Sequence, residues 1–281
     1  MQRKVCVITG ATSGIGLVAA EKLAQQGARL VLVARDKARG EAAAARIRER
    51  ARGAQVGIRY GDLSRLQEMR RLGQEIAAAE PKIDVLMNNA GAMFTRRSVT
   101  EDGLERTFAV NHMAYFVLTH WLRERLVAAA PSRIVNTASE AHRRAQLDFD
   151  DLQSARNYGT LSVYGRSKLC NILFTRELAR RLAGTGVTAN CLHPGFVATR
   201  IADNNGGFFG VGVGIAKSLF ALSPEKGAET MLYLATSPDI AGVTGGYFDK
   251  SRPALPTAAA QDDAAARRLW DESARIAQLP A

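Results

Sequence analysis

Short apolar segments alternate with longer segments of helical periodicity along the whole sequence. Segment 30–34 is apolar at every position, which is typical of a strand that helices cover on both faces. Seven strands of this kind are predicted, at residues 5–9, 30–34, 56–60, 85–87, 133–137, 187–192 and 246–248. Because the segments between them leave room for crossover helices, we expect one seven-stranded parallel sheet in a doubly wound α/β domain.

The length and composition fit a single domain. The chain has 281 residues, of which 47% are hydrophobic, and this is enough to bury the core of one α/β domain spanning residues 1–281. An alanine-rich segment at 257–266 is predicted to be a linker into a last helix that contains Trp270. The sequence contains neither a run of about 18 apolar residues nor a signal-peptide core, so we expect no membrane span and a cytoplasmic location.

Charge and residue usage argue against two other kinds of protein. The formal net charge is +11, but the basic residues are spread through helix-like segments such as 46–50, and aromatic residues make up only 6% of the chain. A basic groove with stacking side chains is not indicated, so no nucleic acid is expected as a partner. The three cysteines stand singly and the four histidines form no H-E-x-x-H pattern, so no metal site is predicted.

A glycine-rich turn with the sequence TGATSGIG, residues 9–16, follows the first strand directly and opens a helix. Ligands of a doubly wound sheet bind beyond the carboxyl ends of its strands. Glycines let the backbone approach a pyrophosphate, and the helix N-terminus supplies free N–H donors. The spacing alone also fits a tight turn without a ligand, so both interpretations stand at this point.

Four motifs in register resemble the short-chain dehydrogenase/reductase family. They are the T-G-x-x-x-G-x-G spacing at 9–16, Asp62-Leu63 after the third strand, the sequence NNAG at 88–91 after the fourth, and Tyr164-x-x-x-Lys168. The resemblance implies an NAD(P)-dependent oxidoreductase with a Rossmann fold. The nucleotide-binding residues that it implies are Gly10, Thr12, Ser13, Gly14, Ile15, Gly16, Arg35, Asp62, Leu63, Asn89, Ala90, Gly91, Tyr164, Lys168, Pro194, Gly195, Val197 and Thr199.

The residues after the second strand bear on the choice between NADP(H) and NAD(H). By similarity to NADP-preferring relatives, Arg35 is expected to contact a 2′-phosphate, for which a planar guanidinium is well suited. Asp36 leaves an alternative open, because it can accept hydrogen bonds from a ribose, as in NAD-specific folds, or cap the next helix. NADP(H) is therefore the preferred cofactor in this interpretation, and NAD(H) remains an alternative.

Tyr164 is the candidate proton-transfer group, since hydride transfer to a carbonyl leaves an alkoxide that must gain a proton. Lys168 lies four residues further on, on the same helix face. Its ammonium is expected to lower the pKa of Tyr164 from about 10 by at most about three units, before the opposite effect of desolvation is subtracted. The resemblance adds Ser139 as a hydrogen-bond donor to the substrate oxygen and Asn111 as the holder of a relay water. The alternative for Asn111 is a polar residue that kinks a helix.

Two segments are expected beside the substrate site. Ser139 and Tyr164 are separated by 25 positions, about double the spacing in many family members, which indicates an insert at 142–163. Segment 200–222 has the composition of a mobile lid over an apolar pocket. The insert, the sequence SKLCN at 167–171 and the ending around Trp270 resemble the retinol dehydrogenase-like branch of the family.

The predicted function is interconversion of a hydrophobic alcohol and its aldehyde or ketone. Two alternatives stay open, namely a biosynthetic ketoreductase with a narrow substrate and a non-catalytic NADP-binding regulator. The sequence does not decide between a monomer and a homodimer.

Overall fold

The computed structural model of the protein describes residues 1–196 and 222–280. Within these ranges one sheet contains the strands β1 (Val5–Thr9), β2 (Arg29–Ala34), β3 (Val56–Tyr60), β4 (Val85–Asn88), β5 (Ser132–Thr137), β6 (Val187–His193), β7 (Tyr247–Asp249) and β8 (Arg252–Pro253). Their order is β3-β2-β1-β4-β5-β6-β7-β8. Because β1 pairs in parallel with both β2 and β4, the winding direction reverses between β1 and β4.

The described helices are α1 (Gly14–Gln25), α2 (Lys37–Arg50), α3 (Leu66–Ala79), α4 (Arg106–Phe108), α5 (Ala114–Val127), α6 (Thr160–Arg181), α7 (Pro224–Thr236) and α8 (Asp263–Ala277). A π-helical turn, Ala109–Met113, joins α4 to α5. None of the helices in the two described ranges is both long and apolar enough to cross a bilayer.

Helices cover both faces of the sheet and explain its apolar strands. One core lies under α1 and α7 and contains Leu30 and Leu32 of β2. The core on the other face lies under α3, α5, α6 and α8 and contains Val31 and Val33. Successive side chains of a strand point to opposite faces, so residues 30–33 of β2 alternate between two apolar cores and are all apolar.

The seven predicted strands are present and mutually parallel, which confirms the doubly wound α/β fold. An eighth strand was not predicted, since β8 pairs antiparallel with β7 through only two residues, Arg252 and Pro253, both exposed. The prediction of a linker at 257–266 is wrong. Ala260 and Ala266 are buried, and the segment holds a 3-10 turn and the first residues of α8.

Candidate active site

The glycine-rich turn packs tightly against the loop that follows β4. Gly10 has a φ of +69° and Gly14 a φ of +57°, in the region that favours glycine. A Cβ atom on Gly16 would lie 2.4 Å from the Gly10 carbonyl oxygen and 2.5 Å from Asn89 Nδ2. The fold itself therefore requires glycine here, and the Ser13 side chain makes no capping hydrogen bond at the start of α1.

Asn89 joins the carboxyl ends of β1 and β4. Its Nδ2 donates to the carbonyl oxygens of Thr9 and Gly10, at 3.1 Å each. In return, Thr9 Oγ1 accepts hydrogen bonds from the backbone N–H groups of Asn89 and Ala90, at 2.9 and 3.0 Å. The two loops at the point where the winding direction reverses are thus held together by one hydrogen-bond network.

After β2, the acidic residue has a structural role, whereas the basic residues are exposed. Asp36 is the N-cap of α2, and its carboxylate accepts a hydrogen bond from the Arg39 N–H at 2.8 Å. The helix-cap interpretation of Asp36 is therefore the one that the structure shows. The guanidinium groups of Arg35 and Arg39 are exposed, and no described residue forms an ion pair with them.

After β3, the Asp62 carboxylate accepts a hydrogen bond from the Ser64 N–H at 2.9 Å and so stabilises the turn that follows the strand. Leu63 is buried.

Asn111 lies in the π-helical turn, and its side chain is completely buried. Its Oδ1 accepts from the Ala92 N–H at 2.7 Å, while its Nδ2 donates to the Ala92 carbonyl and to Ser167 Oγ, at 2.9 Å each. A Cβ atom on Gly91 would lie 3.4 Å from both Asn111 Oδ1 and Lys168 Nζ. Asn111 therefore lies where the helix departs from regular α-helical geometry, as expected of a polar residue that kinks a helix, and it also lies close to Lys168.

Lys168 is buried in the centre of the candidate site, with 1% of its surface exposed. Its Nζ donates to the Thr137 carbonyl oxygen at the end of β5, at 3.0 Å. The same Nζ lies 5.6 Å from the ring centroid of Tyr164 and 5.8 Å from that of Tyr115. The helical spacing of Tyr164 and Lys168 thus brings the two side chains together, as predicted.

Burial dominates the titration of this pair. It raises the pKa of Tyr164 to about 12, although a hydrogen bond with Ser139 acts in the opposite direction. Burial also lowers the pKa of Lys168 to about 7. The pKa of Tyr164 therefore lies above its usual value, because burial outweighs any lowering by the lysine. Because burial penalises both charged forms, a neutral phenol lies beside an amine whose charged form is destabilised.

Ser139 lies two residues beyond β5, where a 3-10 turn, Glu140–Arg144, fixes it. Its Oγ accepts from the Ala141 N–H at 3.2 Å, and its carbonyl oxygen is 2.7 Å from His142 Nδ1. The Tyr247 hydroxyl of β7 donates to Glu140 Oε1 at 2.8 Å. Contacts from its own turn and from β7 therefore hold the loop on which Ser139 faces Tyr164.

The segment after β6 is described only at its beginning and end. Pro194 and Gly195 follow β6, and Gly195 has a φ of +83°, with Leu222 Cδ1 2.5 Å from where its Cβ would lie. Val197 and Thr199 lie outside the described residues, and so does the predicted lid at 200–222 except for Leu222.

The predicted insert at 142–163 is anchored to a neighbouring segment by two hydrogen bonds. Tyr158 donates to the Phe94 carbonyl at 2.7 Å, and Gln153 Oε1 accepts from the Glu105 N–H at 2.7 Å. These contacts tie the insert to the segment between β4 and α4. Residues 160–163 of the predicted insert form the first turn of α6.

Sequence reasoning did not single out Tyr115, although it is completely buried and its ring faces Lys168. It follows Asn111 by four residues, and this helical spacing is the signal that would have found it. Over residues 1–196 and 222–280, no group of three or more His, Cys, Asp or Glu side chains is arranged to hold a metal ion.

Comparisons with known proteins agree with the fold and motifs. The family described as short chain dehydrogenase matches residues 4–208. Retinol dehydrogenase 13 of Homo sapiens is 42% identical over 99% of this chain and 86% of its own length. A solved but uncharacterized protein from Mycobacterium Paratuberculosis has a TM-score of 0.80 and 31% identity, over 100% of this chain and 96% of that chain.

A second solved structure shows a family member with its ligands. L-sorbose reductase from Gluconobacter frateurii, complexed with NADPH and L-sorbose, has a TM-score of 0.70 and 25% identity, over 88% of this chain and 95% of that chain. Together the comparisons confirm the predicted resemblance, including its retinol dehydrogenase-like branch, and show that the protein is an oxidoreductase. The chain belongs to the short-chain dehydrogenase/reductase family.

Proposed function

We propose that this alcohol/carbonyl oxidoreductase uses NADP(H), acts on a hydrophobic alcohol, aldehyde or ketone, and transfers the proton through Tyr164. The observation that carries the proposal is the placement of Ser139, Tyr164 and Lys168 together at the carboxyl ends of the strands. They share this edge of the sheet with the glycine-rich turn after β1. Ligands of doubly wound sheets bind at this edge.

The residues present fit a dinucleotide. The turn at 9–16 offers bare backbone and the N-terminus of α1, which suit a pyrophosphate. Arg35 and Arg39 offer exposed guanidinium groups that no described residue neutralises, and such groups bind a 2′-phosphate with paired hydrogen bonds. The Asp36 carboxylate caps α2, and this structural role explains an acidic residue at this position without a hydrogen bond to the ribose of NAD(H). When bound, the nicotinamide ring supplies or accepts the hydride.

Tyr164 is suited to donate a proton at neutral pH, because burial keeps its phenol protonated, with a pKa of about 12. A developing alkoxide near this phenol takes the proton. The Ser139 hydroxyl donates a hydrogen bond to the same oxygen and polarises the carbonyl. A protonated phenol is the form of Tyr164 that carbonyl reduction requires as its proton donor.

The surroundings of the site favour an apolar substrate. Leu161 lies one helical turn before Tyr164 and is exposed, as are Phe196 and Leu222 beside Gly195. Apolar side chains that remain exposed around a site are a feature of pockets for hydrophobic ligands.

The first test follows absorbance of the reduced nicotinamide with aliphatic, aromatic and isoprenoid aldehydes and ketones, with NADPH and NADH in parallel. We expect wild-type protein to oxidise NADPH and Tyr164→Phe to lose at least 100-fold in kcat while its Kd for NADPH stays within about threefold. Tight NADPH binding without turnover of any carbonyl would contradict the proposal and favour a binding protein.

The cofactor preference is tested with one charge at a time. Arg35→Leu is expected to raise KM for NADPH at least tenfold and to leave KM for NADH nearly unchanged, because only NADPH carries the 2′-phosphate. Arg52→Leu, an exposed position after α2, is the matched control for loss of one positive charge. Equal changes in KM for NADPH and NADH in Arg35→Leu would show that Arg35 does not bind the 2′-phosphate.

A further inference from the structure

We propose that Tyr115 is a positioning residue for Lys168, and that the face of its aromatic ring holds the lysine ammonium in place by a cation–π contact. The inference rests on the proposed function in one respect, since it concerns the lysine assigned to the catalytic site. It adds a residue outside the Ser139, Tyr164 and Lys168 set.

The geometry places two rings around one ammonium. Lys168 Nζ lies 5.8 Å from the ring centroid of Tyr115, on α5, and 5.6 Å from that of Tyr164, on its own helix. Both distances lie within the range of about 6 Å over which a ring quadrupole attracts a cation. Tyr115 is completely buried, so bulk solvent screens the contact little.

The ammonium needs such a contact because it has few other partners. An ammonium has three N–H donors, and among the described residues the Thr137 carbonyl is the acceptor of Nζ. A buried charge without compensating partners is costly, and burial accordingly lowers the pKa of Lys168 to about 7. An aromatic face favours the charged form and therefore opposes this effect.

The ring of Tyr115, rather than its hydroxyl, is assigned this role. Burial raises the pKa of Tyr115 well above 10, so the phenol stays neutral and presents an intact π face. Other groups around Nζ are uncharged as well, namely the Thr137 carbonyl of β5, the Asn111 amide beside Gly91 and the neutral phenol of Tyr164. The titration of Lys168 is thus expected to respond to loss of the ring.

The direct test measures the pKa of Lys168 by NMR with 13C-labelled lysine, with Lys168→Met used to assign the signal. Tyr115→Leu removes the ring and keeps an apolar side chain, whereas Tyr115→Phe keeps the ring and removes only the hydroxyl. We expect Tyr115→Leu to lower the pKa of Lys168 by about 0.5–1 unit and Tyr115→Phe to leave it within about 0.2 unit. An unchanged or raised pKa in Tyr115→Leu, or equal shifts in both variants, would overturn the inference.

The kinetic test separates positioning from a merely structural role. The Lys168 ammonium favours the phenolate that Tyr164 becomes on donating its proton. With the lower pKa, turnover by Tyr115→Leu is therefore expected to fall about two- to fivefold at pH 7 and to recover most of this loss near pH 5.5, where Lys168 is again protonated. Tyr115→Phe is expected to follow the wild-type profile. A loss of the same size at both pH values, or in both variants, would overturn the role of the ring in turnover.

The two tests also distinguish this inference from the proposed function. If wild-type protein turns over no carbonyl compound, the proposed function fails, but the NMR titration still decides whether the Tyr115 ring holds the ammonium. If the enzyme is active and the titration is unaffected by Tyr115→Leu, the inference fails alone.

Discussion

The histidine next to Asn111 provides a test of the core electrostatics. His112 is completely buried, with its Nε2 2.8 Å from Ser273 Oγ and with Phe108 and Phe174 at ring distances of 5.2 and 6.0 Å. Burial lowers its pKa to about 3, against a hydrogen bond with Asn171 that raises it. The folded protein therefore keeps this imidazole neutral over a pH range in which the unfolded chain binds a proton.

The sign and size of the effect follow from linkage. A folded-state pKa below the unfolded value of about 6.5 means that the stability contributed by neutral His112 is present above pH 6.5. It is lost as the pH falls from about 6.5 towards 3. At pH 5 the loss amounts to about 2 kcal/mol, which corresponds to a decrease in Tm of roughly 4–8 °C for a chain of this size.

His112→Phe keeps a ring in the aromatic cluster and removes the titration. We expect the variant to be less stable at pH 7.5 by about 1 kcal/mol, because Ser273 loses a hydrogen-bond partner. Between pH 7.5 and pH 5, its free energy of unfolding should decrease by about 2 kcal/mol less than that of the wild type, as measured by urea titration at each pH. His120→Phe, at a less buried histidine, is the control. Parallel pH profiles of wild type and His112→Phe would refute the reasoning.

Three further substitutions test the packing around the sheet. Gly16→Ala places a Cβ atom 2.4 Å from a backbone oxygen, so we expect at least a tenfold weaker Kd for NADPH in a fluorescence titration. Asp36→Ala removes the cap of α2 and should lower the free energy of unfolding by about 1 kcal/mol without changing the NADPH-to-NADH preference. Glu21→Gln breaks the contacts of a buried carboxylate with Arg46 and Arg50. Urea titration should show a free energy of unfolding about 1–2 kcal/mol below that of the wild type. The difference between the two proteins should be smaller at high salt, which screens the ion pairs of the wild type.

The sequence predicts the central strands well because their pattern has a single physical cause. Leu30 to Val33 alternate between two apolar cores. A continuously apolar strand is typical of a sheet covered on both faces, whereas a sheet with one face in solvent has strands that alternate between apolar and polar residues. In contrast, β8 exists only because it pairs with β7, and its two exposed residues have no pattern of their own. The alanine-rich segment at 257–266 has the composition of a linker, and burial of Ala260 and Ala266 depends on helices that are distant in the sequence.

In the candidate site as well, the local contacts can be predicted from the sequence, and the properties that depend on the assembled fold cannot. Tyr164 and Lys168 are neighbours on one helix, so their contact follows from local geometry. The titration of the pair depends on how deeply the assembled fold buries it, and the spacing of two residues contains no information about that depth. The contact between His112 and Ser273 joins residues 161 positions apart, and no local pattern predicts it.

The short strand β8 has a consequence for how this protein meets other chains. An uncovered edge strand offers unpaired N–H and C=O groups that a strand from another molecule can bind. Here the turn through Lys250 and Ser251 folds the chain back over β7, and Ala254 N–H donates to the Tyr247 carbonyl at 2.8 Å. Pro253 then presents no donor on the outer side. With only two residues and one of them a proline, β8 is a poor template for the addition of a strand from another molecule.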